Sequence, residues 1–210
     1  MDDLKPANEE ERQRRIAKNA VDAKPVEDEL ISAGFDIRWI SDLFNKRLDY
    51  RNAIPILIRW LPIVENQDVK EEIVRALSVP WARGTEAPGL LVNEFRKRDH
   101  NSGLRWAIGN ALSVVADDYQ CNDILELIQD KGYNSAREML VIALGNMNKS
   151  NVEPFLMNLL DDEDLVGFAI IALRKIKSEK ALPHLEKLQN HPRTWVRNEA
   201  KKAVKRLLKG

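Results

Sequence analysis

TWVRNEAKKAVKRLL, residues 194–208, carries the pattern on which the fold turns. Counted from Val196 as position 1, its apolar residues stand at positions 1, 5, 8, 9 and 12: Val196, Ala200, Ala203, Val204 and Leu207. At about 100° per residue these share one face of an α-helix. Arg197, at position 2, lies on the edge of that face. The arrangement recurs upstream. Leu165-Val166, Ala169, Ala172-Leu173 and Ile176 repeat it, as do Ala136-Arg137, Leu140, Ala143-Leu144 and Met147. So do Leu104-Arg105, Ile108, Ala111-Leu112 and Val115, then Val69-Lys70, Ile73 and Ala76-Leu77 ahead of Pro80. A weaker copy starts at Ile37-Arg38 and runs through Ser41, Phe44 and Leu48. The starts at 37, 69, 104, 136, 165 and 196 lie 32, 35, 32, 29 and 31 residues apart. A period of that size marks units that bury their apolar faces by stacking on one another.

A second motif precedes each copy. NAIPILIRWL (52–61), NVEPFLMNLL (151–160) and KALPHLEKLQ (180–189) each place an aliphatic residue two after a proline. APGLLVNEF (87–95) and NDILELIQ (122–129) are degenerate forms. Proline fits the first turn of a helix, where its missing N–H has no partner to lose. Each unit therefore reads as a helix A opened by proline, a short polar turn, and a helix B bearing the Arg-edged template. The acidic turn DDEDL (161–165) suits the positive N-terminal end of the helix behind it.

The pairing of AIPILIRWL with TWVRNEAKKAVKRLL resembles HEAT repeats, in particular the short type named after phycobilisome lyases, over roughly residues 36 to 208. The resemblance implies an all-α, right-handed α-α superhelix (a HEAT-like solenoid) of about five to six helix pairs, with B helices lining a concave face. Two parts are expected: a charged N-terminal helical arm or cap over 1–35, containing EEERQRRIAKNAV (9–21), and a HEAT-like repeat domain over 36–210.

Composition narrows the function. Lys plus Arg equal Asp plus Glu at 33 each, which argues against a dedicated nucleic-acid binder. The one cysteine, Cys121, permits no disulfide within the chain, and no stretch is apolar enough for a secretion signal or a membrane span. A cytoplasmic location is expected.

Angular sorting of helix B separates core from candidate surface. Position 2 holds Arg38, Lys70, Arg105, Arg137, Val166 and Arg197, which read as a ladder bonding turn carboxylates and carbonyls of the adjacent repeat. Positions 3, 6, 7 and 10 turn away from the core. Lys, Glu and Gln would fill them on an ordinary wet face. Here they include Trp106, Val141, Ile142, Ile170 and Ile171, with Gly109, Gly145 and Gly167 allowing close approach of another backbone or a flat ligand. On this reading Trp106, Ile142 and Ile171 anchor a partner's helix or extended segment in the concave groove, and Arg75, Asn110 and Arg174 set its register. Alternatively, tight curvature buries the stripe between successive B helices and makes it core. Trp60, Trp81 and Trp195 read as packing residues.

No cofactor-binding or metal-binding motif is found. The histidines are His100, His184 and His191, without ligand spacing. DDEDLVGFAIIA (161–172) starts like a calcium loop but has Val166 where glycine is required and Ala172 where glutamate is required. Phosphate-loop, dinucleotide and nucleophile-elbow signatures are missing, and the acidic setting of Cys121 would raise its thiol pKa. One enzyme class shares the resemblance: HEAT-like alkylpurine DNA glycosylases, whose groove uses tryptophans, an Asp and an Arg. Trp106 and Arg137 fit such roles, but Asn110 stands where an Asp is wanted. Groove cations are confined to the last helix, at Lys201, Lys202, Lys205, Arg206 and Lys209, where a terminal repeat needs a polar face. The expectation is therefore a non-catalytic protein–protein interaction module acting as adaptor, regulator or inhibitor, with a DNA-lesion binder or glycosylase as the alternative.

Overall fold

A computed structural model describes residues 5–148 and 150–209, and its regular structure is entirely helical among these residues. Residues 1–4 of the expected arm, and residues 149 and 210 of the expected repeat domain, lie outside the described residues. A long helix α1 (Lys5–Ser32) and a one-turn helix α2 (Asp42–Asn45) precede five antiparallel hairpins. These pair α3 (Ile54–Trp60) with α4 (Gln67–Leu77), α5 (Ala87–Arg96) with α6 (Ser102–Val115), and α7 (Cys121–Gln129) with α8 (Arg137–Leu144). Then come α9 (Val152–Asn158) with α10 (Val166–Lys175) and α11 (Leu182–Leu188) with α12 (Thr194–Leu207). Pro55, Pro88 and Pro183 occupy the first turns of α3, α5 and α11, where no backbone donor is lost. Asn66 and Asn101 cap α4 and α6 by accepting the N–H groups of Asp68, Val69 and Leu104.

The template positions build the core. Val69, Ile73, Leu77, Leu104, Ile108, Leu112, Leu140, Leu144, Leu165, Leu173 and Val196 are all buried. Successive B helices pack against one another along the whole array, whereas A helices meet their neighbours only sparingly. The B helices thus form the tighter, inner layer of the curve. Glycine makes that spacing possible. A Cβ on Gly109 would lie 3.1 Å from the Ala136 carbonyl oxygen and from Met139 Cβ, and one on Gly145 would lie 3.2 Å from Ala172 Cα. The close-approaching backbone is therefore the next B helix. Position 6 goes the same way: Val74, Val141 and Ile170 are fully buried between these helices, so that part of the apolar stripe is core.

The arginines of the ladder, expected to bond the adjacent repeat, instead close three hairpins on themselves. Arg105 donates to the Lys97 carbonyl at 2.8 Å, at the end of α5, its own partner. Arg137 donates to the carbonyls of Ile128 at 3.2 Å and Asn134 at 3.3 Å, and Arg197 to those of His191 at 2.8 Å and Pro192 at 2.7 Å. A helix leaves its last carbonyls without intrahelical partners, and a cation bonded there also suits the negative end of the dipole. Lys70 instead crosses to the following hairpin. Its ammonium meets Glu94 at 3.0 Å with both side chains buried, and Glu94 also receives Lys97 at 2.7 Å and His100 Nε2 at 2.9 Å. Burial pushes the Glu94 carboxyl up, but the bonds from Lys97, Lys70 and His100 outweigh it and leave it below the usual range.

The copy beginning at Ile37 does not form a B helix; only α2 is helical within it. Its backbone donors are claimed elsewhere. The Asp42 carboxylate accepts from Arg38 N–H at 2.7 Å, Glu27 of α1 accepts from Ile40, and Glu72 of α4 from Ser41. Carboxylates in competition with helix carbonyls favour a turn. The cap role passes to α1. Its residues 9–18 are exposed, while Ala23, Val26 and Leu30 are buried. Asn19 bonds Asp68 at 2.8 Å, and Trp60 donates to Glu29 at 2.8 Å, fastening α1 to α4 and α3.

Candidate functional site

The expected groove residues lie on four consecutive B helices: Arg75 on α4, Trp106 and Asn110 on α6, Ile142 on α8, and Ile171 and Arg174 on α10. Trp106 is 41% exposed and makes no ring contact or hydrogen bond through its indole among the described residues. Asn110, Ile142 and Ile171 are half-buried. The two arginines are engaged: Arg75 forks onto Glu71 at 2.7 and 2.9 Å, and Arg174 pairs with Glu199 of α12 at 3.1 Å. The six are spread over four successive B helices, and no hydrogen bond or ion pair joins any two of them among the described residues. Arg137, which a lesion-binding reading would need in the groove, is 5% exposed and bonded to main-chain carbonyls.

A concavity of about 620 Å³ opens at one end of this layer, where α8, α10 and α12 begin. The segment leading into α8 supplies Lys131, Asn134 and Ser135, and the first turn of α8 supplies Arg137 and Glu138. Asp164, Leu165 and Phe168 come from the start of α10, and Arg193 and Trp195 from the start of α12. Asn134 turns the chain with φ of 47°, a left-handed setting that asparagine tolerates better than most residues.

Trp195 dominates the wall. Its ring tilts against Phe168 with centroids 4.9 Å apart and covers Gly167. A Cβ on Gly167 would fall 2.7 Å from Trp195 Cε3 and closer still to Cζ3 and Cη2, so the glycine creates the seat for the indole. Yet Trp195 remains 42% exposed. Packing holds the ring in place and leaves much of it uncovered, which the reading of Trp195 as a packing residue does not anticipate.

The charges facing this platform are unequal in availability. Arg137 and Arg193 both donate to main-chain carbonyls, Arg193 to that of Glu163. The carboxylates of Glu138 and Asp164 have no hydrogen bond or ion pair within the described residues. Desolvation, and then the charge of Asp164, push the Glu138 carboxyl above its usual range, with Arg137 opposing. Two unengaged carboxylates beside an exposed indole can hold a cation. Sequence reasoning identifies Glu138 only as an ordinary position-3 residue and Asp164 as part of a capping turn. The available signal was Gly167, the lone glycine at position 3, one repeat before a tryptophan.

The described residues contain no group of three or more His, Cys, Asp or Glu placed to hold a metal, and none of their helices is long and apolar enough to cross a membrane. No curated protein matches the chain at a significant level. A model of the HEAT-repeat family matches residues 121–205, which span the hairpins from α7 to α12. With five stacked helical hairpins, three of them closed by an arginine at the edge of helix B, and this match over their C-terminal part, the chain is a HEAT-like repeat protein, an all-α solenoid.

Proposed function

We propose that this solenoid is a non-catalytic protein-binding module that holds a helix or extended segment of a partner along the inner, B-helix layer. HEAT repeats are generally protein-interaction modules, which supports the class. The observation that carries the finer reading is Trp106: a large aromatic 41% exposed at a position where a solvated face would place a charge, with no partner of its own. Aromatic residues dominate the energetics of recognition surfaces. Ile142 and Ile171 continue the apolar track on the next two B helices, and Asn110 offers an amide beside it. Arg75 and Arg174, already paired, act on the rim by limiting register.

A photo-crosslinking side chain at position 106, in cells of the native host, tests this. It should trap one predominant protein, while the same group at Tyr119, 90% exposed outside these helices, should not. Identical products from both positions would overturn the reading. Trp106→Ala should cost well under the roughly 3–5 kcal/mol of a core aromatic, because much of the ring is already in water.

A further inference from the structure

We propose that the concavity where α8, α10 and α12 begin receives an arginine side chain of the partner segment, its guanidinium stacked on Trp195 and paired with Glu138 and Asp164. The inference deepens the function proposed above and rests on it for the partner being a protein.

Three features select this ligand. The first is shape: the Trp195 indole, seated over Gly167 and braced by Phe168, presents a flat, fixed, partly exposed plane. A guanidinium is planar and weakly hydrated and stacks on such a face, whereas an ammonium is a compact, strongly hydrated point charge. The second is charge. Glu138, in the first turn of α8, and Asp164, in the turn before α10, are unengaged carboxylates, and a forked donor can serve both at once. The third is the state of the cations on the same wall. Arg137 and Arg193 keep their positive charge but direct donors at main-chain carbonyls, so Lys131 is the one cation of the wall without a hydrogen bond among the described residues, beside two carboxylates. An anion would meet these cations but also both carboxylates, and it gains nothing from the indole face, which makes a phosphate or sulfate the poorer fit. The concavity also lies among the hairpins that carry Ile142 and Ile171, so a segment lying on that track can place a side chain in it.

The test uses the full chain labelled with ¹⁵N and follows the indole N–H resonances of its five tryptophans. The Trp195 signal is assigned by its loss in Trp195→Phe. Titration with Nα-acetyl-arginine amide should move that signal along a saturating curve in the millimolar range of about 1–10 mM. The lysine counterpart should bind at least about fivefold more weakly, for want of stacking. Glu138→Gln with Asp164→Asn should abolish the arginine response while leaving the helical circular dichroism unchanged. If that pair perturbs folding, either single substitution should still weaken binding. No movement of Trp195, an equal response to sodium sulfate, or an undiminished response in the substituted chains would each overturn the proposal. The two inferences fail separately: an arginine response with no crosslinked partner at position 106 retains the pocket and removes the partner, and the converse outcome does the opposite.

Discussion

Replacing Gly167 with alanine tests whether the Trp195 platform is set by backbone space. Gly167 is the second residue of α10, where the change alone would stabilise by about 0.4–1 kcal/mol, chiefly by restricting the unfolded chain. Here the new Cβ would lie within 2.7 Å of three ring atoms of Trp195, so the indole must leave its seat. Leaving it breaks the tilted contact with Phe168, worth about 0.5–1.5 kcal/mol beyond simple burial, and a ring that resists adds strain of about 1–3 kcal/mol. In the native background the loss equals or exceeds the gain, so the change should range from neutral to destabilising by about 3 kcal/mol. With Trp195→Ala the loss disappears, and Gly167→Ala should then show its full stabilisation of about 0.4–1 kcal/mol. Urea unfolding followed by circular dichroism on the four chains of this cycle yields a coupling of about 1 kcal/mol or more, against the roughly 0.3–0.5 kcal/mol within which independent sites add. Equal stabilisation in both backgrounds would refute the reasoning, because Trp195 would then not occupy the space above Gly167. Trp195 fluorescence should also become more solvent-exposed in Gly167→Ala.

Other substitutions probe the polar closures. Lys70→Met leaves the buried Glu94 with one fewer cation and should cost toward the lower end of about 3–5 kcal/mol, while Lys70→Met with Glu94→Leu should recover most of it in the same urea measurement. Arg137→Ala, which abandons two carbonyls in a buried setting, should cost about 2–3 kcal/mol, and Arg105→Ala, with one such bond, about 1–1.5 kcal/mol. Burial raises both Glu27, with Glu72 adding and Lys24 opposing, and Glu72, with Asp68 and Glu71 adding and Arg75 opposing. The native state thus holds these protons more tightly than the unfolded chain, where the ordinary value is 4.5. Their contribution to stability is full below 4.5 and is lost as pH rises through the raised native values. Hydrogen exchange of α1 should slow on mild acidification from neutrality, after correction for intrinsic rates, and Glu27→Gln should flatten that dependence.

The repeat architecture was legible because one side of each B helix obeys a strict rule. Val196, Leu165, Leu104 and Val69 had to be apolar to stack, so periodicity alone found them. The copy at Ile37 misled because its spacing survives while its hydrogen bonds do not. Glu27 and Glu72, far from it in sequence, take the N–H groups that a helix would use. The ladder was visible as a row of cations, but whether each reached its own hairpin or the next depends on turn geometry, which spacing does not encode. The groove divided for a similar reason. Helical angle places positions 6 and 7 side by side, and only the closeness of neighbouring B helices decides that Val141 and Ile170 are covered while Ile142 and Ile171 are partly open. Glu138, Asp164 and Trp195 belong to three different hairpins, and no local pattern joins them.

The direction of the arginine closures bears on how the molecule yields under load. Arg105 and Arg137 each tie the two limbs of a single hairpin, and Arg197 ties α12 to the turn before it, so these hairpins resist being opened. Between hairpins the contact is largely apolar packing, which slides at little cost because it has no preferred direction. A pull along the axis should thus extend the array by small shifts at the seams before any hairpin opens, as a coil spring lengthens without its wire breaking. Polar links also cross the seams, among them Lys70–Glu94 between α4 and α5, Arg96–Asp123 between α5 and α7, and Arg174–Glu199 between α10 and α12, but of these only Lys70–Glu94 is buried on both sides. Compliance would then be graded along the array, least at the seam between α4 and α5 and greater among the hairpins that contribute to the Trp195 concavity.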